Sequence, residues 1–85
     1  MTVLVRVFLK EGVLDPQGKA INDALHRLGY SQVTEVRAGK IFRLEMETAD
    51  PAAALGAARK LADQHLANPV IEDFTVELAP AGAAR

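Results

Sequence analysis

The side chains able to do chemistry in this sequence are few: two histidines, one serine, no cysteine and eleven carboxylates. A nucleophilic serine needs a base within hydrogen-bond reach, held in turn by a third group. Ser31 follows a helical stretch and has neither histidine beside it. His26 and His65 fall on separate helical stretches, without the i, i+4 spacing that lets one helix face hold a metal. Each reads as a solvated or packing side chain. The lack of cysteine removes thiolate metal sites and thiol nucleophiles together. Gly12 and Gly18 are six apart with no Lys-Ser or Lys-Thr after them, so no phosphate-cradling loop of the P-loop kind is present. The carboxylates are spread over positions that read as exposed faces. Read from its residues, the chain carries no active site of its own.

The totals agree with a small binding or assembling domain. At 85 residues there is room for one core. A domain of this size buries only about 60–65% of the surface its unfolded chain exposes, and it usually leans on disulfides, metal or self-association. Without cysteine, association is the support that remains. Ten basic against eleven acidic residues give a net charge of −1. That balance lacks the basic stripe of a nucleic-acid protein. No apolar run approaches the ~20 residues of a membrane helix, and no secretory signal opens the chain, so a cytoplasmic location is expected.

Six elements can be placed. A first strand over about residues 2–10 puts Val3, Val5, Val7 and Leu9 on one side. Asp15-Pro16 is a cap followed by the proline suited to a first helical position, opening a helix from Pro16 to Leu28. Its stripe is Ile21, Ala24, Leu25 and Leu28. Gly29 then supplies a left-handed cap. A strand over Val33–Arg37, a turn at Ala38-Gly39-Lys40 and a strand directing Phe42, Leu44 and Met46 inward follow. Asp50-Pro51 repeats the cap device and starts a helix running to about Leu66, with Leu55, Ala58, Leu61, Ala62 and Leu66 as its stripe. Asn68-Pro69 ends that helix, and a last strand spans Val70 to Leu78. One domain over 1–78 and a flexible C-terminal tail over 79–85 result.

Strand–helix–strand–strand–helix–strand is the βαββαβ order of a ferredoxin-like α+β sandwich, an antiparallel sheet with two helices on one face. The other face carries Leu4, Phe8, Ile41 and Ile71 among its charges, and these are the candidate self-association residues. Binding modules of this architecture leave traces. A metal chaperone needs Cys-x-x-Cys, which is absent. An RNA-binding sheet needs stacked rings, and Phe8 is the sole ring on the open face. An acylphosphatase-like site needs an arginine in the loop after strand one, and Gly12-Val13-Leu14-Asp15 has none. An autonomous small-molecule-sensing regulatory domain stays open as the alternative function.

Three stretches in order carry a resemblance. These are Gly12 to Ile21 continuing to Leu28-Gly29-Tyr30, then Val36-Arg37-Ala38-Gly39-Lys40, then Leu66 to Phe74. They resemble the PurS family, the small subunit of phosphoribosylformylglycinamidine synthase in purine synthesis. The resemblance runs from about Val3 to Leu78. It implies a subunit of a glutamine-dependent, carbon–nitrogen bond-forming ligase that converts FGAR to FGAM. It also implies partners: further copies of itself (a dimer or higher), a large synthetase subunit of the PurL type and a glutaminase subunit of the PurQ type. ATP and Mg2+ are used by the synthetase, with no cofactor on this chain, and ammonia passes between the larger subunits. Neither nucleic acid nor membrane is implied. Gln17, Arg37 and Lys40, at loops and a hairpin tip, are the candidate partner contacts.

Overall fold

A computed structural model of the chain describes residues 1–79. The tail expected over 79–85 therefore lies, from residue 80 onward, outside the described residues. The sheet is built on β1 (Thr2–Leu9), the central strand, flanked by β2 (Gly39–Glu45) and β3 (Glu72–Leu78) in the order β2-β1-β3. Both pairings are antiparallel. The period-2 pattern of β1 sends Val3, Val5 and Val7 to one face, where each is at most 1% exposed. Burial of this kind stabilises by roughly 1.5–3 kcal/mol per side chain. The register sets Phe42 and Val76 on either side of Val5, and Leu44 and Leu78 on either side of Val3. The inward side is the one expected from the sequence.

Helix α2 (Pro51–Leu61) covers β1 and β3 on that face. Asp50 caps it, its carboxylate accepting from the Ala52 N–H at 3.1 Å, with Pro51 at the first turn. Its buried row is Ala54, Ala58 and Ala62, and Leu61 stays 36% exposed. The expected stripe included Leu61 and omitted Ala54. Methyl side chains one turn apart bring the helix close to the valines of β1, and the bulkier Leu55 sits at the flank of the contact. The helix then widens into a π-helical turn, Ala62–Leu66, closed by the Ala67 N–H donating to the Ala62 carbonyl at 2.9 Å. Leu66 and Ala67 pack from there onto Val5 and Val7.

Two expected elements differ. Residues 33–38 form no regular element and join no ladder, so among the described residues the antiparallel sheet has three strands. Their polar groups are engaged elsewhere: the Ala38 N–H reaches Asp15, and the Val33 carbonyl accepts from His26. The hairpin expected at Ala38-Gly39-Lys40 is accordingly absent. Helix α1 (Pro16–Arg27) forms as expected and ends at Gly29 with φ +96°. Its stripe, however, is not buried by this chain. Ile21 is 41% and Leu28 73% exposed, and no α1 residue enters either core cluster. The radius of gyration, 15.8 Å, exceeds the about 12 Å of a compact chain of this length. The α+β class with an antiparallel sheet and two helices holds, but α1 makes hardly any contact with the sheet.

Candidate functional site

The candidate contacts surround the junction where β1 ends, α1 begins and the 34–40 segment returns to the sheet. Its centre is Asp15. The Oδ1 atom accepts from the Gly18 N–H at 2.9 Å, which caps α1. The Oδ2 atom accepts from the Ala38 N–H at 2.8 Å, which ties the helix start to the residue before β2. The Gly18 N–H and then the Ala38 N–H do most to hold the Asp15 carboxyl below its ordinary value, and the nearby Arg37 charge adds to them against partial desolvation. Gly18 makes the approach possible, since a Cβ there would lie 2.2 Å from the Val36 carbonyl oxygen.

Arg37 closes the junction from the other side. Its Nη2 donates to the carbonyls of Leu9 at 2.9 Å and Lys10 at 3.2 Å, where β1 runs out of sheet partners. The guanidinium is therefore part of the fold, and Arg37 does not project from a hairpin tip. Lys40 is the more accessible charge: 54% exposed, 3.8 Å from the Glu72 carboxylate and 5.8 Å from the Phe42 ring centroid. Exposed Gln17 lines the same shallow cleft as Lys40, with Gly39 and Glu72 at its walls. The structure thus joins Gln17 and Lys40 and places Arg37 on a second groove of about 440 Å³, beside Thr34, Asp15 and Asn22. The Asn22 Oδ1 in that groove is buried without a hydrogen-bond partner. The sequence offered no signal for it.

On the opposite sheet face Leu4, Phe8 and Ile41 lie within one step of register, since Leu4 faces Arg43, Arg6 faces Ile41 and Phe8 faces Gly39. The Arg6–Glu77 and Lys10–Asp73 ion pairs border them. Ile71 stands just outside β3, although its carbonyl accepts from the Lys10 N–H at 2.8 Å. It sits in a turn where the Asn68 carbonyl accepts from the Ile71 and Glu72 N–H groups, at 3.1 and 2.7 Å, so β3 starts only at Glu72. His26 is exposed, as expected, and its Nε2 also donates to the Val33 carbonyl at 2.6 Å, which braces the end of α1. His65 and Ser31 are exposed and lie in different elements. Among the described residues no group of three or more metal-ligating side chains converges.

These features define a small α+β protein of ferredoxin-like architecture, whose distinctive residues build a loop junction and exposed faces. The sequence model of PurS, described as phosphoribosylformylglycinamidine (FGAM) synthase, matches residues 2–80. The PurS subunits of Bacillus subtilis and Mycobacterium leprae are 43% and 44% identical, with 89% and 86% of this chain and 89% of each relative covered. Among solved structures, that of B. subtilis PurS gives a TM-score of 0.78 at 42% identity, covering 93% of this chain and 98% of the other. A chain of the Thermotoga maritima PurLQS structure gives 0.83 at 28% identity, covering 92% and 95%. This chain belongs to the PurS family.

Proposed function

We propose that the chain serves as the PurS subunit of phosphoribosylformylglycinamidine synthase in purine biosynthesis, contributing to a multi-subunit ligase. The observation that carries this is the family match across residues 2–80, joined to similarity with a chain of a PurLQS structure over nearly its whole length. The chemistry visible in the chain suits that role. The charged and polar groups of the Asp15 junction hold loops together. In this reading the synthetase and glutaminase subunits carry the reaction, with ATP and Mg2+ at the synthetase. The small subunit associates with copies of itself and joins the two so that ammonia passes between them. Gln17 and Lys40, sharing one cleft, are the contacts offered to a larger subunit, with Arg37 bracing the loop beneath them. Leu4, Phe8 and Ile41 are offered to another copy. No helix among the described residues is long and apolar enough to cross a membrane. A cytoplasmic setting is part of the proposal. No observation favours the autonomous ligand-sensing alternative.

Reconstitution tests this. Glutamine-dependent FGAM formation is expected when this chain is mixed with a synthetase and a glutaminase subunit of the same pathway, and not when it is left out. Equal glutamine-dependent rates with and without the chain would overturn the reading.

A further inference from the structure

The polar groups around the groove beside Asp15 are unevenly used. Both Asp15 oxygens accept backbone N–H groups, and the Arg37 Nη2 is given to the Leu9 and Lys10 carbonyls. Lys19 pairs with Asp23 at 3.1 Å. Apart from the Thr34 hydroxyl, which can donate or accept, two side chains lining the groove are left over, and both are acceptors. The Asn22 Oδ1 is buried without a donor. Glu35 is exposed, and among the described residues its carboxylate enters no ion pair. The groove itself, about 440 Å³, has Val13 and Val36 in its walls, with Leu14, 74% exposed, beside them.

We propose that this groove receives an arginine side chain presented by one of the larger subunits of the synthase, its guanidinium donating to the Glu35 carboxylate and to the Asn22 Oδ1. The proposal rests on the subunit reading above and adds a contact to it. Charge and donor count select the guanidinium. An unpaired carboxylate calls for a cation, and an uncharged acceptor nearby calls for a cation whose donors are spread out. Arginine carries five N–H donors in a flat fork, which can serve a carboxylate and an amide oxygen together, whereas the lysine ammonium is a compact point charge. Its weakly hydrated faces also suit walls of valine. Exposed Lys19 stands one turn before Asn22 on the same side of α1, so its movement opens the way to Oδ1. The occupant is another protein and not a second copy. Leu4, Phe8 and Ile41, the residues offered to a copy, lie on strands, whereas the groove is built from α1 and two loops.

Binding of the full chain to a synthetase subunit and to a glutaminase subunit of the same pathway, measured separately with glutamine, ATP and Mg2+ present, tests this. Glu35→Gln and Asn22→Leu are each expected to weaken capture of the same one of the two by about tenfold, which identifies the subunit that carries the arginine. Asn22→Asp offers only acceptors and is expected to keep or tighten that capture. The loss at Glu35→Gln should shrink as salt is raised. Capture by both Glu35→Gln and Asn22→Leu at wild-type strength overturns the proposal and leaves the subunit reading standing. A loss at Asn22→Asp equal to that at Asn22→Leu also overturns it, because the group received would then be an acceptor. So does a lower sedimenting mass of Glu35→Gln alone than of wild type alone, which would put a second copy in the groove. A wild type that captures neither subunit removes the subunit reading and this inference with it.

Discussion

Strand β1 and helix α1 are neighbours in sequence, and they are satisfied in opposite ways. The inward side chains of β1 are closed off by α2 and by the strands on either side. The stripe of α1 has the same apolar character and meets solvent along most of its length. The contrast shows that an amphipathic pattern states what a surface requires and says nothing about which chain provides it. It also separates two roles for the residues between them. Asp15, Gly18 and Arg37 hold a geometry, whereas Gln17, Lys40 and the α1 stripe face outward.

The sharpest break of the contrast is to damage the β1 side. Val5→Asp places a charge without a partner at a fully buried position, and the expected cost exceeds about 4 kcal/mol, a large share of a small domain's stability. The variant should lack a cooperative unfolding transition. Gly18→Ala comes next, because its methyl would collide with backbone. A loss of about 3 kcal/mol in denaturant titration is expected, against a gain of about 0.5–1 kcal/mol for Gly56→Ala in α2, where the added Cβ meets open space. Equal effects at the two glycines would remove the close approach from the account.

Asp15→Asn should lower the melting temperature in a pH-dependent way. Because its carboxyl is held below its ordinary value in the fold, the stability it lends is present above the ordinary aspartate value. That stability is lost as the pH falls through the lowered folded value. The wild-type advantage should therefore shrink on acidification below about pH 4, and a constant difference down to pH 2 would contradict the clamp. The smallest effects belong to Arg37 and Lys40. Arg37→Met removes a charged donor from the Leu9 and Lys10 carbonyls, the second of which keeps the Val13 N–H, and should cost about 1–3 kcal/mol, whereas Lys40→Met should cost under about 1 kcal/mol. Capture of the larger subunits by the Lys40→Glu variant is then a clean test of partner contact. The same loss at Arg37 would mix contact with stability.

Much of this was legible from residue order. The alternation of β1, the two Asp-Pro caps and the cap at Gly29 each have one local reading, and the structure shows each. The inward parity of Phe42, Leu44, Phe74 and Val76 was equally clear, since period-2 burial is decided within each strand. The strand expected over Val33–Arg37 does not form, because pairing is not local. Its β-branched residues favour an extended backbone, but the Asp15 carboxylate takes one of its N–H groups and His26 one of its carbonyls. The alanine row of α2 was hidden for a different reason. Hydrophobicity ranks leucine above alanine, whereas the short helix-to-sheet distance selects the methyl. The double use of Asp15 needed long-range geometry, although its place before Pro16 and three residues ahead of Gly18 marked it as a cap.

The contrast between β1 and α1 can be measured directly by native-state amide hydrogen exchange on the dilute chain. The account predicts strong protection across the amides of β1 and much weaker protection across α1, whose Ile21 and Leu28 this chain leaves exposed. Protection of α1 equal to that of β1 would mean that the helix is held as firmly as the central strand, and would contradict the account.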